Sequence, residues 1–161
     1  MIYIVMGVSG CGKSTIGVLL ANRLNLDFYD GDDFHPSINI EKMSNGVPLT
    51  DMDREPWLRS LAKHIQDWEL DGGAVLACSA LKQSYRDILV STTTDKVQFI
   101  YLKGDQAILA SRLRNRNAHF MPETLLKSQF DILQPPKDSV TVLLDKPAED
   151  IVREILKEIE S

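Results

Sequence analysis

The chain has 161 residues, 43% of them hydrophobic and 25% charged, with a formal charge of −5. That length fits one domain with a proper core, and the acidic balance argues against general nucleic-acid binding while leaving room for a local basic pocket. No apolar run approaches membrane-spanning length, no signal peptide is visible ahead of the first strand-like run, and two cysteines, Cys11 and Cys78, do not make a disulfide framework. The expectation is a cytoplasmic enzyme.

Ile2-Tyr3-Ile4-Val5-Met6 is a β-branched and aromatic run suited to a buried strand. Directly after it, Gly7-Val8-Ser9-Gly10-Cys11-Gly12-Lys13-Ser14-Thr15 contains the pattern G-x-x-x-x-G-K-[ST], a phosphate-binding loop. Ile16, Leu19, Leu20 and Leu24 then recur at helical spacing. Strand, glycine loop and helix are the context the motif requires. Gly7, Gly10 and Gly12 let the backbone curl so that its N–H groups face phosphate oxygens. The helix start adds a positive end. Lys13 is expected on the β- and γ-phosphates of ATP, and the Ser14 hydroxyl on Mg²⁺. Cys11, inside this loop, sits where a thiol pKa can fall; the plainer reading, that the position simply accepts Cys, is preferred.

Further along, strand patterns fall at 26–30, 73–78, 97–102 and 140–144. Helix patterns fall at 13–24, roughly 36–45, 55–70, 82–90, 105–114, 122–133 and 148–160. The apolar stripes on these helices, such as Ile151, Val152, Ile155, Leu156 and Ile159, read as core packing. Five short apolar strands alternating with helices imply an α/β fold with a parallel sheet covered on both faces. Ligands then bind at the C-terminal ends of the strands. Two segments read as insertions over that end, 31–56 and an arginine-bearing lid at 112–122.

After the second strand comes Asp30-Gly31-Asp32-Asp33-Phe34-His35-Pro36. Asp and Gly favour turns, but three carboxylates within four positions repel one another. At a strand end they suit phosphoryl transfer: one carboxylate at an acceptor hydroxyl, another holding a water on Mg²⁺. Arg54 closes the first insertion. After the third strand, a helix starting near Ser79 would carry Lys82 and Arg86 four apart on one face. These cations suit a substrate carboxylate, with Arg54 a bidentate clamp. In the lid, Arg112 and Arg116 are candidates for nucleotide contact and for stabilising transition-state charge. His119 is a candidate contact to nucleotide or substrate.

At this point the sequence resembles the gluconokinases, small phosphate-loop kinases related to the shikimate kinases. The segments that carry the resemblance are GVSGCGKST (7–15), DGDDFHP (30–36), NIEKMSNGVPLTDMDREPWL (39–58), CSALKQSYRDIL (78–89), FIYLKG (99–104), RLRNRNAHFMP (112–122) and LLKSQFDIL (125–133), nearly the whole chain. The resemblance implies transfer of the ATP γ-phosphate to the 6-hydroxyl of D-gluconate. It implies a three-layer fold with five parallel strands in order 2-3-1-4-5. Asp30 is then the holder of the Mg²⁺ water and Asp32 the residue at the acceptor hydroxyl. Arg54, Lys82 and Arg86 hold the carboxylate and hydroxyls, with His35 and His119 also in the substrate set. Lys146 and Pro147, in Asp145-Lys146-Pro147, form part of the adenine loop. Family members are often dimers, so a homodimer is within the implication. One departure is Ala118, where the family usually has Gly before the lid His-Phe.

Two other readings compete. A nucleotide kinase would have a mostly arginine acceptor pocket, whereas Asp30 and Asp32 suit an alcohol, as in a shikimate-type kinase. A non-catalytic nucleotide switch fits less well, because the catalytic groups are present and no Asn-Lys-x-Asp guanine motif occurs.

Overall fold

The computed structural model describes residues 1–93, 97–114 and 124–160, with backbone only at 112–114 and 124. The expectations placed on Arg116, Ala118 and His119, and on the Arg112 side chain, lie outside the described residues.

Five strands form one sheet: β1 (Ile2–Met6), β2 (Asp27–Asp30), β3 (Ala74–Ala77), β4 (Val97–Lys103) and β5 (Val140–Leu143). Every pairing is parallel and the order is β2-β3-β1-β4-β5, as the resemblance implied. Among the described residues seven α-helices accompany them: α1 (Lys13–Leu24), α2 (Ser37–Ser44), α3 (Asp51–Leu70), α4 (Gln83–Leu89), α5 (Gln106–Arg114), α6 (Thr124–Ile132) and α7 (Ala148–Glu160). None of them is long and apolar enough to cross a membrane.

The direction of travel across the sheet decides which face each helix covers. From β1 the chain steps outward to β2 and then returns through β3 toward β4 and β5. Right-handed crossovers therefore put α1 on one face and α3 and α4 on the other. The packing agrees: α1 meets α7, while α3 meets α4. Between them lies a dry core in which Ile2, Ile4, Met6, Leu20, Trp57, Leu58, Leu61, Ile65 and Leu76 are fully buried. β1 and β3 are enclosed on both faces, which is why they read as unbroken apolar runs rather than alternating ones.

Two boundaries differ from the periodicity. The helix expected at 55–70 begins at Asp51, because Thr50 and Asp53 form a reciprocal cap: the Asp53 N–H donates to Thr50 Oγ1 at 3.1 Å and the Thr50 N–H to Asp53 Oδ2 at 2.9 Å. Pro56 thus lies inside the helix rather than at its start. The helix expected near Ser79 begins at Gln83, since Ala80 takes φ +46 and Lys82 is extended at φ −104.

Segment 31–56 is structured. It holds a 3-10 turn (Gly31–Phe34), α2 and the first turns of α3. The turn is tied down by the Trp57 indole, whose Nε1–H donates to Gly31 O at 2.7 Å. Gly31 lies so close to β3 that a Cβ there would stand 2.7 Å from Ala77 O. Gly31→Ala should therefore destabilise the protein by about 1–3 kcal/mol through overpacking; urea melts will show a lower midpoint with the slope unchanged. An unaltered midpoint would mean that this contact carries no constraint.

Candidate functional site

β1 ends in a loop whose glycines adopt the conformations the motif needs. Gly7, Gly10 and Gly12 have φ of +149, +82 and +89. A Cβ on Gly7 would meet Cys11 Sγ at 2.8 Å and Leu102 O at 3.0 Å, so the loop can fold over itself only with glycine there. α1 opens on Gly12 with no side-chain cap, which leaves its first-turn N–H groups to an incoming anion. The Lys13 ammonium folds back over the loop, donating to Val8 O at 3.1 Å and lying 4.0 Å from Cys11 Sγ. Val8, Ser9 and Cys11 are buried. Thr15 is exposed on α1.

The donor loop is joined to the end of β2 by one contact: Ser14 Oγ donates to Asp30 Oδ2 at 2.6 Å. Asp30 Oδ1 accepts the Asp32 N–H at 3.0 Å and so caps the 3-10 turn. A hydroxyl beside a carboxylate is an oxygen donor pair suited to a hard divalent cation such as Mg²⁺. Asp32 follows on this turn, its Oδ1 3.9 Å from His35 Nε2. His35 lies flat against Trp57, ring centroids 4.0 Å apart. Burial first and the Arg54 guanidinium second push its pKa down to about 4, so the ring is neutral at ordinary pH.

A narrow cleft gathers these groups. Ser9 and Lys13 line it from the donor loop, Asp32 and His35 from the turn, Arg54 from α3 and Gln129 from α6. Met43 and Leu49 cover it from segment 31–56. Arg54 Nη1 is held by Leu49 O at 2.7 Å and by Tyr85 Oη at 3.1 Å. Tyr85 in turn donates to Asp51 Oδ1 at 2.5 Å.

The other two expected cations are placed differently. Lys82 pairs with Asp51, at 3.0 and 3.2 Å to its two oxygens. It stays partly exposed beside Tyr85. Arg86 is buried, 3% exposed, with Nη1 on Ala80 O at 2.7 Å and Nη2 on Gln134 O at 2.8 Å. It does not line the cleft. Its guanidinium satisfies one carbonyl of the irregular loop that replaces the expected helix start and one carbonyl beyond the end of α6.

At the other end of the donor loop, the ends of β4 and β5 frame a cavity of about 350 Å³ lined by Gly104, Ile108, Leu109, Leu143 and Asp145. The apolar lining suits the flat face of a nucleobase. Lys146, from the expected adenine loop, directs its ammonium to Glu154 at 2.9 Å and Asp145 at 3.2 Å. The Pro147 carbonyl starts α7 by accepting the Ile151 N–H at 3.1 Å.

No motif or spacing in the sequence marks Gln129, Asn39 and Tyr85 as site residues. Gln129 Oε1 accepts the Ser9 N–H at 2.8 Å, tying α6 to the donor loop. Asn39 Nδ2 donates to Asp53 O at 2.9 Å and faces His35 Nδ1 at 3.2 Å. Their only signal was a polar residue on a helix face otherwise turned inward. The two thiols give no such signal: Cys11 and Cys78 are both buried, and burial pushes Cys78 up to about 12, which leaves it inert.

A phosphate loop at the end of the central strand, facing carboxylates and an arginine across one cleft, defines a phosphotransferase of the P-loop kinase class. Residues 9–160 match the family model described as Shikimate kinase. A probable gluconokinase of Mus musculus is 43% identical over 176 residues, covering 97% of this chain and 96% of that protein. The thermoresistant gluconokinase of Escherichia coli is 42% identical over 163 residues, covering 98% and 93%. The crystal structure of a gluconokinase from Sinorhizobium meliloti superposes with a TM-score of 0.88 at 42% identity, covering 98% of this chain and 90% of that one. The chain belongs to the gluconokinase family, a group of ATP-dependent kinases within the shikimate kinase type.

Two outcomes follow from the geometry. Arg86→Ala should cost roughly 2–4 kcal/mol in a urea melt, because the buried Ala80 carbonyl and the partly buried Gln134 carbonyl lose their donor. The Michaelis constant for the acceptor should change little; a large rise at unchanged stability would restore Arg86 to the substrate. For His35, the unfolded ring titrates near 6.5 and the folded one near 4. Between these values the unfolded chain binds a proton that the folded protein does not. This contribution is complete above about pH 6.5 and is lost as pH falls toward 4. The melting midpoint should decline across that window, and His35→Gln should flatten the decline. Equal slopes would show that His35 is not the titrating group.

Proposed function

We propose that this chain transfers the γ-phosphoryl group of ATP to the 6-hydroxyl of D-gluconate, giving 6-phosphogluconate. The observation that carries the reading is the convergence of Lys13, Asp32 and Arg54 on one cleft, a phosphate-binding cation, a carboxylate for a hydroxyl and a guanidinium for an acid tail. Membership of the gluconokinase family supports the choice of acid.

In this reading the loop N–H groups and Lys13 hold the β- and γ-phosphates. The acceptor hydroxyl oxygen forms its bond to the γ-phosphorus, the bond from that phosphorus to the β–γ bridging oxygen breaks, and ADP leaves. The hydroxyl proton passes to Asp32. Arg54 fixes the far end of the substrate by pairing with its carboxylate. Lys82, paired with Asp51 and beside the Tyr85 that holds Arg54, would meet the hydroxyls. Ser14 and Asp30 would hold Mg²⁺ together with the nucleotide phosphates, and the ion would supply neutralisation of their charge. The base lies by Asp145, Lys146 and Pro147. Roles for Arg112 and Arg116 at the nucleotide, and for His119 at the substrate, rest on the sequence resemblance. A single kinase domain rests on the chain's length, a lid at 112–122 on that segment's arginines, and a homodimer on the resemblance. Dependence on ATP supports a cytoplasmic setting.

The test is ADP release by the purified protein across a panel of aldonic acids, shikimate and nucleoside monophosphates. Gluconate should give the highest kcat/KM. Turnover that is equal without any acceptor would favour a nucleotide switch and sink the reading. Asp32→Asn should lower kcat by about 10²-fold or more while the ATP constant stays near its original value. A near-normal kcat would remove Asp32 from the acceptor side.

A further inference from the structure

We infer that Asn39 is a positioning residue that locks His35 in the Nε2–H tautomer, so that His35 faces Asp32 as a neutral hydrogen-bond donor. The deduction starts at the Asp53 carbonyl, which can only accept. The Asn39 atom 2.9 Å from it is therefore the amide nitrogen. That same nitrogen stands 3.2 Å from His35 Nδ1, and its second proton points there. Nδ1 must then offer a lone pair, which leaves the ring proton on Nε2. The arrangement has little freedom. Asn39 is 1% exposed, and the His35 ring is clamped against Trp57 at an interplanar angle of 16°.

Burial and Arg54 keep the ring neutral, so the tautomer is the one protonation choice left open. It matters because Nε2 faces Asp32 Oδ1 across 3.9 Å, too long for a direct hydrogen bond. An oxygen seated above the pair could reach both. With the proton on Nε2, such an oxygen accepts from His35 and has its own proton directed to the Asp32 carboxylate. With the proton on Nδ1, His35 and Asp32 would both be acceptors and would compete for it. Asn39 thus sets the direction in which the acceptor hydroxyl gives up its proton. This use of the tautomer rests on the reading that Asp32 faces the acceptor hydroxyl; the tautomer itself does not.

The chain has three histidines, so nitrogen–proton correlation spectra of the ¹⁵N-labelled protein can be assigned with His35→Gln. At pH 7 the full-length protein should show His35 wholly as the Nε2–H form. Asn39→Asp, which replaces the donor by an acceptor, should convert it to the Nδ1–H form. It should lower kcat at least about tenfold, the loss of one oriented hydrogen bond, with the ATP constant unchanged. Asn39→Ser serves if the Asp variant does not fold, and should give mixed tautomers with a smaller loss of kcat. An Nδ1–H signal in the unaltered protein, or an unchanged signal in the folded variant, would overturn the assignment to Asn39. A converted tautomer with normal kcat would overturn its role in proton direction, whatever Asp32→Asn had shown.

Discussion

The 2.6 Å hydrogen bond from Ser14 to Asp30 is the contact on which the two halves of the site depend. β1 and β2 are not neighbours; β3 lies between them. The donor loop follows β1 and the acceptor turn follows β2, so sheet pairing alone would leave their tips unlinked. Asp30 closes that gap with one oxygen and caps the acceptor turn with the other. A single carboxylate thus sets the height of the loop, the start of the turn and the position of Asp32. Magnesium held there would strengthen a junction that Ser14 and Asp30 make between themselves.

The acceptor half is organised around the first turn of α3. Asp53 caps that helix, accepts the Lys42 ammonium at 2.8 Å and lends its carbonyl to Asn39. Lys42 and the Thr50 N–H together hold its carboxyl down to about 2, so this joint keeps its charge through the working range. Asp51, one turn edge away, gathers Lys82 and Tyr85, and Tyr85 steadies Arg54. An acidic protein thus assembles a basic pocket locally. Each cation that faces the cleft is held by an anion or a carbonyl behind it.

Local chemistry made most of this readable. The glycine loop, the five apolar strands and the seven helical stripes are patterns of near neighbours, and the structure keeps them within a few residues. The failures share one cause. The start of α3 moved from 55 to Asp51 because a Thr-Asp cap outweighed the pull of Pro56 toward a first-turn position. Arg86 looked like half of a cationic face, but its partners are the carbonyls of Ala80 and Gln134, the second 48 residues away. Gln129 reaches back 120 residues to Ser9. Periodicity says which face of a helix turns inward; it does not say which backbone group waits there.

Both tryptophans of the chain lie on α3, each stacked on another ring at 4.0 Å: Trp57 on His35, which lines the cleft, and Trp68 on Tyr29 of β2. No indole borders the donor loop. The Trp57 share of the protein's ultraviolet emission is therefore a built-in gauge of a ring that lines the cleft. A molecule that engages His35 alters the field on the Trp57 indole directly. Occupancy of the cleft is thereby open to optical measurement in the unlabelled protein.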